Sequence, residues 1–183
     1  MITGAMDPPI DLATKSATGA DALRATVVSL QADRGAELWG LARHLNLEPE
    51  EADDAVQETL LRLWSALRDG QDIERPDAWA FRTLYRLAMD KHRWARRVRA
   101  LTERIGAQPS RQSPYDHADR MAVWDAVETL PERQRLSIYL RYRADLPFEE
   151  IGRILGIAAP SARSHVSRAL DALRVQLGEE NSR

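Results

Sequence analysis

Apolar residues recur along this chain at spacings of three and four, the pattern of helices that bury one face. Leu23, Val27 and Leu30 begin a stripe that Leu38, Leu41 and Leu45 continue, which predicts a helix over residues 19–45 with a break near Gly35. Asn46 to Pro49 is a short connection, and Pro49 followed by acids opens a second helix that runs to about Leu67. Its expected buried stripe is Ala52, Val56, Thr59, Leu60, Leu63 and Leu67, with Asp54, Gln57, Glu58 and Leu61 on a different face. Residues 69–76 have loop composition, and Pro76-Asp77-Ala78-Trp79 starts a third helix that reaches about Arg99. Residues 105–118 are polar and rich in Pro, Ser and Gly, the character of a linker. Four shorter helices follow at about 119–129, 131–143, 147–155 and 160–177, and strand-type alternation of useful length is missing. The expected fold is all-α, two small helical domains over 19–104 and 119–178 joined by a flexible linker at 105–118. Residues 1–18 read as a tag remnant and a disordered N-terminus, and the tail from Gly178 reads as frayed.

The densest pattern is Leu146-Pro-Phe-Glu-Glu-Ile-Gly-Arg-Ile-Leu-Gly-Ile-Ala-Ala-Pro-Ser-Ala-Arg-Ser-His-Val-Ser-Arg-Ala-Leu170, a helix-turn-helix. Ile151, Leu155 and Ile157 face a core, and Gly152 leaves room for a close crossing. Gly156 accepts the positive φ of a tight turn, and Pro160 suits the first turn of the next helix. That helix buries Ala162, Val166, Ala169, Leu170 and Leu173 and turns Arg163, Ser164, His165, Ser167 and Arg168 outward. Such side chains reach phosphates and base edges in a major groove. A solvated helical hairpin is the plainer alternative.

Charge changes the picture more than composition does. Hydrophobic residues make up 44% and charged residues 30%, ordinary for a helix-rich soluble domain. The net charge is −2, with 26 Lys and Arg against 28 Asp and Glu, which predicts weak DNA binding by the isolated chain. The charges are segregated, however. Residues 48–58 are acidic, whereas residues 91–104 hold Lys91, Arg93, Arg96, Arg97, Arg99 and Arg104 against a single acid, Glu103. This asymmetry points to two kinds of partner, one basic protein surface and one polyanion. An apolar Leu61 among Asp54, Gln57 and Glu58 is a candidate docking patch, with a solvated helix face as the alternative.

The third helix mixes rings and cations: Trp79, Phe81, Arg82, Tyr85, Arg86, Lys91, His92, Arg93, Trp94, Arg96 and Arg97. Single-stranded nucleic acid is held by that mixture, cations along the backbone and rings against bases. Phe81 and Trp79 are the rings that spacing assigns to the core. No cysteine is present, so disulfides and thiolate metal sites are excluded. His44, His92, His117 and His165 lack ligand spacing, no Gly-rich phosphate loop occurs, and no nucleophile motif is found, so no metal, cofactor or enzyme activity is expected.

Taken in order, these segments resemble the extracytoplasmic-function sigma factors of bacterial RNA polymerase, the minimal type with regions 2 and 4. Asp54-Ala-Val-Gln-Glu58 is similar to region 2.2, and Pro76-Asp-Ala-Trp-Ala-Phe-Arg82 followed by Leu87-Ala-Met-Asp90 to regions 2.3 and 2.4. Leu130-Pro-Glu-Arg-Gln-Arg135 followed by Leu140-Arg-Tyr142 is similar to region 4.1, and the helix-turn-helix to region 4.2. The resemblance covers about residues 20–177. It implies that Asp54, Gln57, Glu58 and Leu61 dock on the polymerase β′ clamp helices and that the Gly70–Arg75 loop captures an everted minus-ten base. It implies further that Trp79, Arg82, Tyr85, Arg86, Asp90 and Lys91 melt that element and hold its non-template strand. Arg163, Ser164, His165, Ser167 and Arg168 would read the minus-thirty-five element, with Arg141 on a phosphate. The partners so implied are core RNA polymerase (β′ and β), promoter DNA and an anti-sigma factor, in the cytoplasm and without membrane insertion.

The chain departs from the family pattern in three places. Leu84-Tyr85-Arg86 stands where Ala-Arg-Asn is usual, Pro160 where a small residue is usual, and His165 where a basic residue is common. Two other readings remain open at this point: a sigma mimic that binds an anti-sigma protein without touching DNA, and a dimeric helix-turn-helix repressor that needs no polymerase. The retained Arg163, Arg168, Lys91, Arg93 and Arg97 argue against the mimic.

Overall fold

A computed structural model describes residues 12–103 and 122–180, and the expected linker at 105–118 lies outside them. The described residues form seven helices: α1 (Leu12–His44), α2 (Pro49–Arg68), α3 (Pro76–Glu103), α4 (Ala122–Glu128), α5 (Glu132–Tyr142), α6 (Phe148–Leu155) and α7 (Ala159–Glu180). None of them is long and apolar enough to cross a membrane.

Two differences from the sequence reading concern α1. It begins at Leu12, upstream of residue 19, so residues 12–18 are helical where a disordered N-terminus is expected. It also passes through Gly35 without the expected break. A glycine costs a helix about 1 kcal/mol, and the burial of Leu30, Leu38 and Leu41 on both sides outweighs it. The stripe of α2 is rotated slightly: Ala52, Ala55, Thr59, Leu60, Leu63 and Ala66 are buried, whereas Val56 and Leu67 are half-buried. Small residues let α2 lie close to its neighbours on that side.

Helix ends follow local chemistry. Asn46 takes a positive φ of 58° after α1, and the Leu47 and Asn46 N–H groups return to the Ala42 and Arg43 carbonyls at 3.2 and 2.8 Å. Gly70, with φ 80°, repeats this arrangement after α2 and launches the 71–75 loop, the Gln71 N–H reaching the Ala66 carbonyl at 2.9 Å. At the start of α2 the Glu51 carboxylate accepts the Glu48 N–H at 3.1 Å, and Pro49 occupies the first turn.

α1, α2 and α3 pack around Leu38, Leu41, Leu63, Phe81 and Leu84. α4 to α7 form the second group, in which α7 packs on both α5 and α6. The core of the first group continues into the second through Leu136, Tyr139, Leu140, Leu146 and Ile151. The two halves therefore lie against each other. Tyr139 of α5 donates its hydroxyl to the Glu37 carbonyl of α1 at 2.8 Å. The His44 Nδ1 lies 3.0 Å from the Glu128 carboxylate. Arg135 donates to the His44 carbonyl at 3.3 Å, and Arg34 donates to the Ala144 carbonyl.

Candidate nucleic-acid interface

The candidate residues fall into three surface regions. The first is the outer face of α2, where Asp54, Gln57, Glu58 and Leu61 are all exposed. Glu58 pairs with Arg62 one turn later at 2.7 Å. Leu61 is 63% exposed and Val28 of α1 is 57% exposed. The two border an open apolar groove between α1 and α2, which Trp64 and Leu60 floor and Arg24 and Asp21 rim. Exposed apolar side chains framed by charge have the composition of a protein-docking face. Val28 is missed by the sequence reading, which follows its half-buried neighbour Val27. Of two adjacent valines on a helix only one can turn toward the core, and that is the signal that identifies the other.

The second region joins the 71–75 loop to α3. Trp79 is half-buried and sits between two recesses, one under the loop and one beside Leu61, Arg62 and Arg86. Its ring packs against the core without being enclosed by it, whereas Phe81, the other ring that spacing assigns to the core, is fully buried. Arg82 and Tyr85 are half-buried, and Arg86 and Asp90 are exposed. Asp90 is engaged by Arg93, and Lys91 lies 3.7 Å from Glu51 of α2. At the head of α3, burial pushes the Asp77 carboxyl up, but Arg75 at 2.9 Å and the Ala78 N–H more than offset this and hold it below the ordinary carboxylate range. Farther along α3, Trp94 is 67% exposed between the exposed Arg93, Arg96 and Arg97. This end offers a ring and cations to a polyanion.

The third region is the helix-turn-helix. Gly156 ends α6 in the left-handed conformation with φ 66°, and the Ile157 N–H closes on the Gly152 carbonyl at 3.0 Å. A Cβ on Gly152 would stand 2.6 Å from the Ile157 carbonyl oxygen, so the close approach foreseen there is made by the turn's own backbone. Arg133 of α5 secures the same turn from outside, donating to the Leu155 carbonyl at 2.6 Å. On α7, Ala162, Val166, Ala169 and Leu173 are buried, while Arg163, Ser164, Ser167 and Arg168 are exposed. His165 is half-buried, with its Nδ1 shielded from solvent and lacking a hydrogen-bond partner. It is the least available of the five outward residues.

The sequence reading treats Phe148 only as part of a motif. The Arg163 guanidinium lies over its ring at 5.0 Å and the Arg141 guanidinium at 5.4 Å. Arg141 also donates to the Leu146 carbonyl at 3.2 Å and lies 3.6 Å from Asp145. Phe148 thus brings together two cations that come from different helices.

This geometry, an acidic and apolar face, a ring-and-cation helix and a basic helix-turn-helix, agrees with the comparisons with known proteins. Residues 32–98 match the Sigma-70 region 2 family and residues 120–173 match the Sigma-70, region 4 family. The ECF RNA polymerase sigma factor SigL of Mycobacterium tuberculosis is 32% identical over 169 residues, covering 88% of this chain and 95% of that protein. The RNA polymerase sigma factor SigV of Bacillus subtilis is 27% identical over 158 residues, covering 86% of this chain and 95% of its own. Among solved structures, CnrH in complex with the cytosolic domain of CnrY superposes with a TM-score of 0.56 at 23% identity, covering 89% of this chain and 94% of that one. The sigma factor RpoE from Bartonella quintana, in complex with the anti-sigma factor NepR, gives a TM-score of 0.57 at 24% identity, covering 92% and 97%. These two likenesses speak for the fold. The chain belongs to the extracytoplasmic-function sigma factors of RNA polymerase, built from sigma-70 regions 2 and 4.

Proposed function

We propose that this chain docks on core RNA polymerase through Asp54, Gln57, Glu58 and Leu61 and directs it to a particular set of promoters. The 71–75 loop takes an everted minus-ten base, and Trp79, Arg82, Tyr85, Arg86, Asp90 and Lys91 hold the melted strand. Unpairing costs a few kcal/mol per flipped base, and stacking and pocket contacts offset it. Arg163, Ser164, His165, Ser167 and Arg168 read the upstream element, and Arg141 adds a phosphate contact. Residues 19–104 and 119–178 are the two functional units, and residues 105–118 connect them along the RNA exit path. The chain acts in the cytoplasm, performs no catalysis of its own, and is restrained by an anti-sigma partner of the kind that NepR is for RpoE.

One observation carries this reading. The same small molecule exposes an apolar groove at Val28 and Leu61, beside the acids Asp54 and Glu58 of α2, and a basic recognition helix at Arg163 and Arg168. A protein-docking face beside a duplex-reading face, with a net charge of only −2, suits a subunit that borrows most of its DNA affinity from a larger enzyme.

The test is run-off transcription with core polymerase on a promoter library. The expected result is chain-dependent initiation at a sequence-defined subset, and Leu61→Asp should weaken core binding by about tenfold or more. No change in initiation with the chain present would overturn the assignment. Tight duplex binding without polymerase would instead favour a repressor.

A further inference from the structure

Phe148 opens α6 half-buried, and its ring packs against the core that contains Leu146 and Ile151. The rest of the ring serves two cations. The Arg163 guanidinium stands 5.0 Å from the ring centre and the Arg141 guanidinium 5.4 Å, both within reach of a cation–π contact. The two arginines are not held alike. Arg141, near the end of α5, also donates to the Leu146 carbonyl at 3.2 Å and lies 3.6 Å from the Asp145 carboxylate. Its side chain is only 37% exposed, so part of its stem is packed away. Arg163, near the start of α7, is exposed and has no hydrogen bond or ion pair with another described residue. The ring is what restrains it.

A guanidinium that reads a base edge presents two N–H groups in one plane. An arginine loose on a helix surface adopts that plane only on binding and gives up its rotamer freedom at that moment. One that already lies against a ring has given up part of it beforehand and binds the right base at lower cost. The ring can orient Arg163 only while it stays in place itself. The core packs against one part of Phe148, and Arg141, tied to Leu146 and Asp145, packs against another.

We propose that Arg141, acting through Phe148, positions Arg163 for base reading, so that a residue which touches only a phosphate helps to set the promoter preference. This rests on the reading of α7 proposed above. Arg141 and Phe148 are positioning residues, and Arg163 is the one that reads. Affinity and preference are then separable at this surface. The number of cations sets affinity and its salt dependence for every sequence, whereas the Arg141–Phe148–Arg163 assembly sets the difference between sequences.

The full chain bound to core polymerase selects its preferred upstream element from a random pool. Arg141→Lys, Phe148→Leu, Phe148→Tyr and Arg163→Ala are then compared with wild type on that element and on one altered only at its bases. Competition binding reads preference, the slope of log affinity against log salt reads the phosphates neutralised, and thermal melting reads folding. Lysine keeps the charge at residue 141 but cannot lie flat on a ring. The expected result is a loss of preference of about threefold for Arg141→Lys and about three- to tenfold for Phe148→Leu, with salt slope and melting temperature unchanged. Phe148→Tyr, which keeps the ring, should keep the preference. In the Phe148→Leu background Arg141→Lys should bring no further loss. Full preference in Arg141→Lys, or an undiminished further loss in the double variant, would overturn the coupling. So would a Phe148→Leu chain whose preference falls only as its melting temperature does. If Arg163→Ala loses preference while Arg141→Lys keeps it, the base-reading role of α7 stands and the coupling alone falls. If the wild type prefers no sequence, or Arg163→Ala keeps the preference, both fall.

Discussion

Phe148 lies between Arg141 of α5 and Arg163 of α7, and each guanidinium is restrained by the face of one ring. A cation–π contact of this exposed kind contributes about 0.5–1 kcal/mol. Phe148→Leu keeps the apolar volume and releases both cations, so binding to the cognate upstream duplex should weaken by about three- to tenfold while α6 stays folded, as read by gel shift and circular dichroism. Arg163→Ala should reduce discrimination among upstream sequences by about 1–3 kcal/mol. An unchanged preference in competition binding would remove Arg163 from base reading. Asp77 makes a different kind of contribution. Its carboxyl titrates below the ordinary value of about 3.9 because Arg75 and the Ala78 N–H outweigh its burial. The stability it adds is therefore present above that value and lost as pH falls through its lowered folded value. Because the pair with Arg75 is partly exposed, Asp77→Asn should cost only about 0.5 kcal/mol at neutral pH, and in denaturant titrations the difference from wild type should shrink as pH falls through that lowered value. The outward faces were readable residue by residue, since periodicity alone separates Leu61 and Arg163 from the buried stripes. Phe148 was not, because a ring that holds two arginines from other helices leaves no mark in local spacing.

At the scale of elements, punctuation was the clearest text. The α6 end at Gly156, the α2 end before Gly70 and the proline starts at Pro49 and Pro76 all stand where their backbone requirements put them. Gly156→Ala places a Cβ in the left-handed region and should cost about 1–2 kcal/mol. Because the turn sets how α7 is presented, duplex binding should fall with thermal stability, and a melting temperature equal to wild type would contradict the assignment. Gly35 misled for the same physical reason in reverse. Its intrinsic penalty is small beside the burial of Leu30 and Leu38, and tertiary packing is invisible to a local window. The rotation of the α2 stripe toward Ala55 and Ala66 has that origin too: alanine carries little hydrophobic signal, yet it is what a close helix crossing needs.

At the scale of the molecule, nothing in local spacing foretells that the two helical groups meet. Their contact depends on Gly40, where a Cβ would overlap the Tyr139 hydroxyl, and on a tyrosine and several arginines whose partners lie about a hundred residues away, such as Arg34 with Ala144 and Tyr139 with Glu37. One apolar core runs from Leu38 to Ile151 across both groups. Urea unfolding of the wild-type chain should therefore follow a single transition by fluorescence and circular dichroism alike, and Gly40→Leu should separate it into two. Two transitions in the wild type would show that the shared core is too weak to couple the halves.

Glu37 joins this contact with its main-chain carbonyl and not with its carboxylate, and the acceptors at Ala144 and His44 are main-chain oxygens as well. Any amino acid that keeps the helix supplies the same acceptor at residue 37. Substitutions at residue 37 should accordingly leave the contact between the halves intact, whereas changes at Gly40 and Tyr139 should lower the melting temperature, although the acidic side chain of Glu37 would invite the first guess.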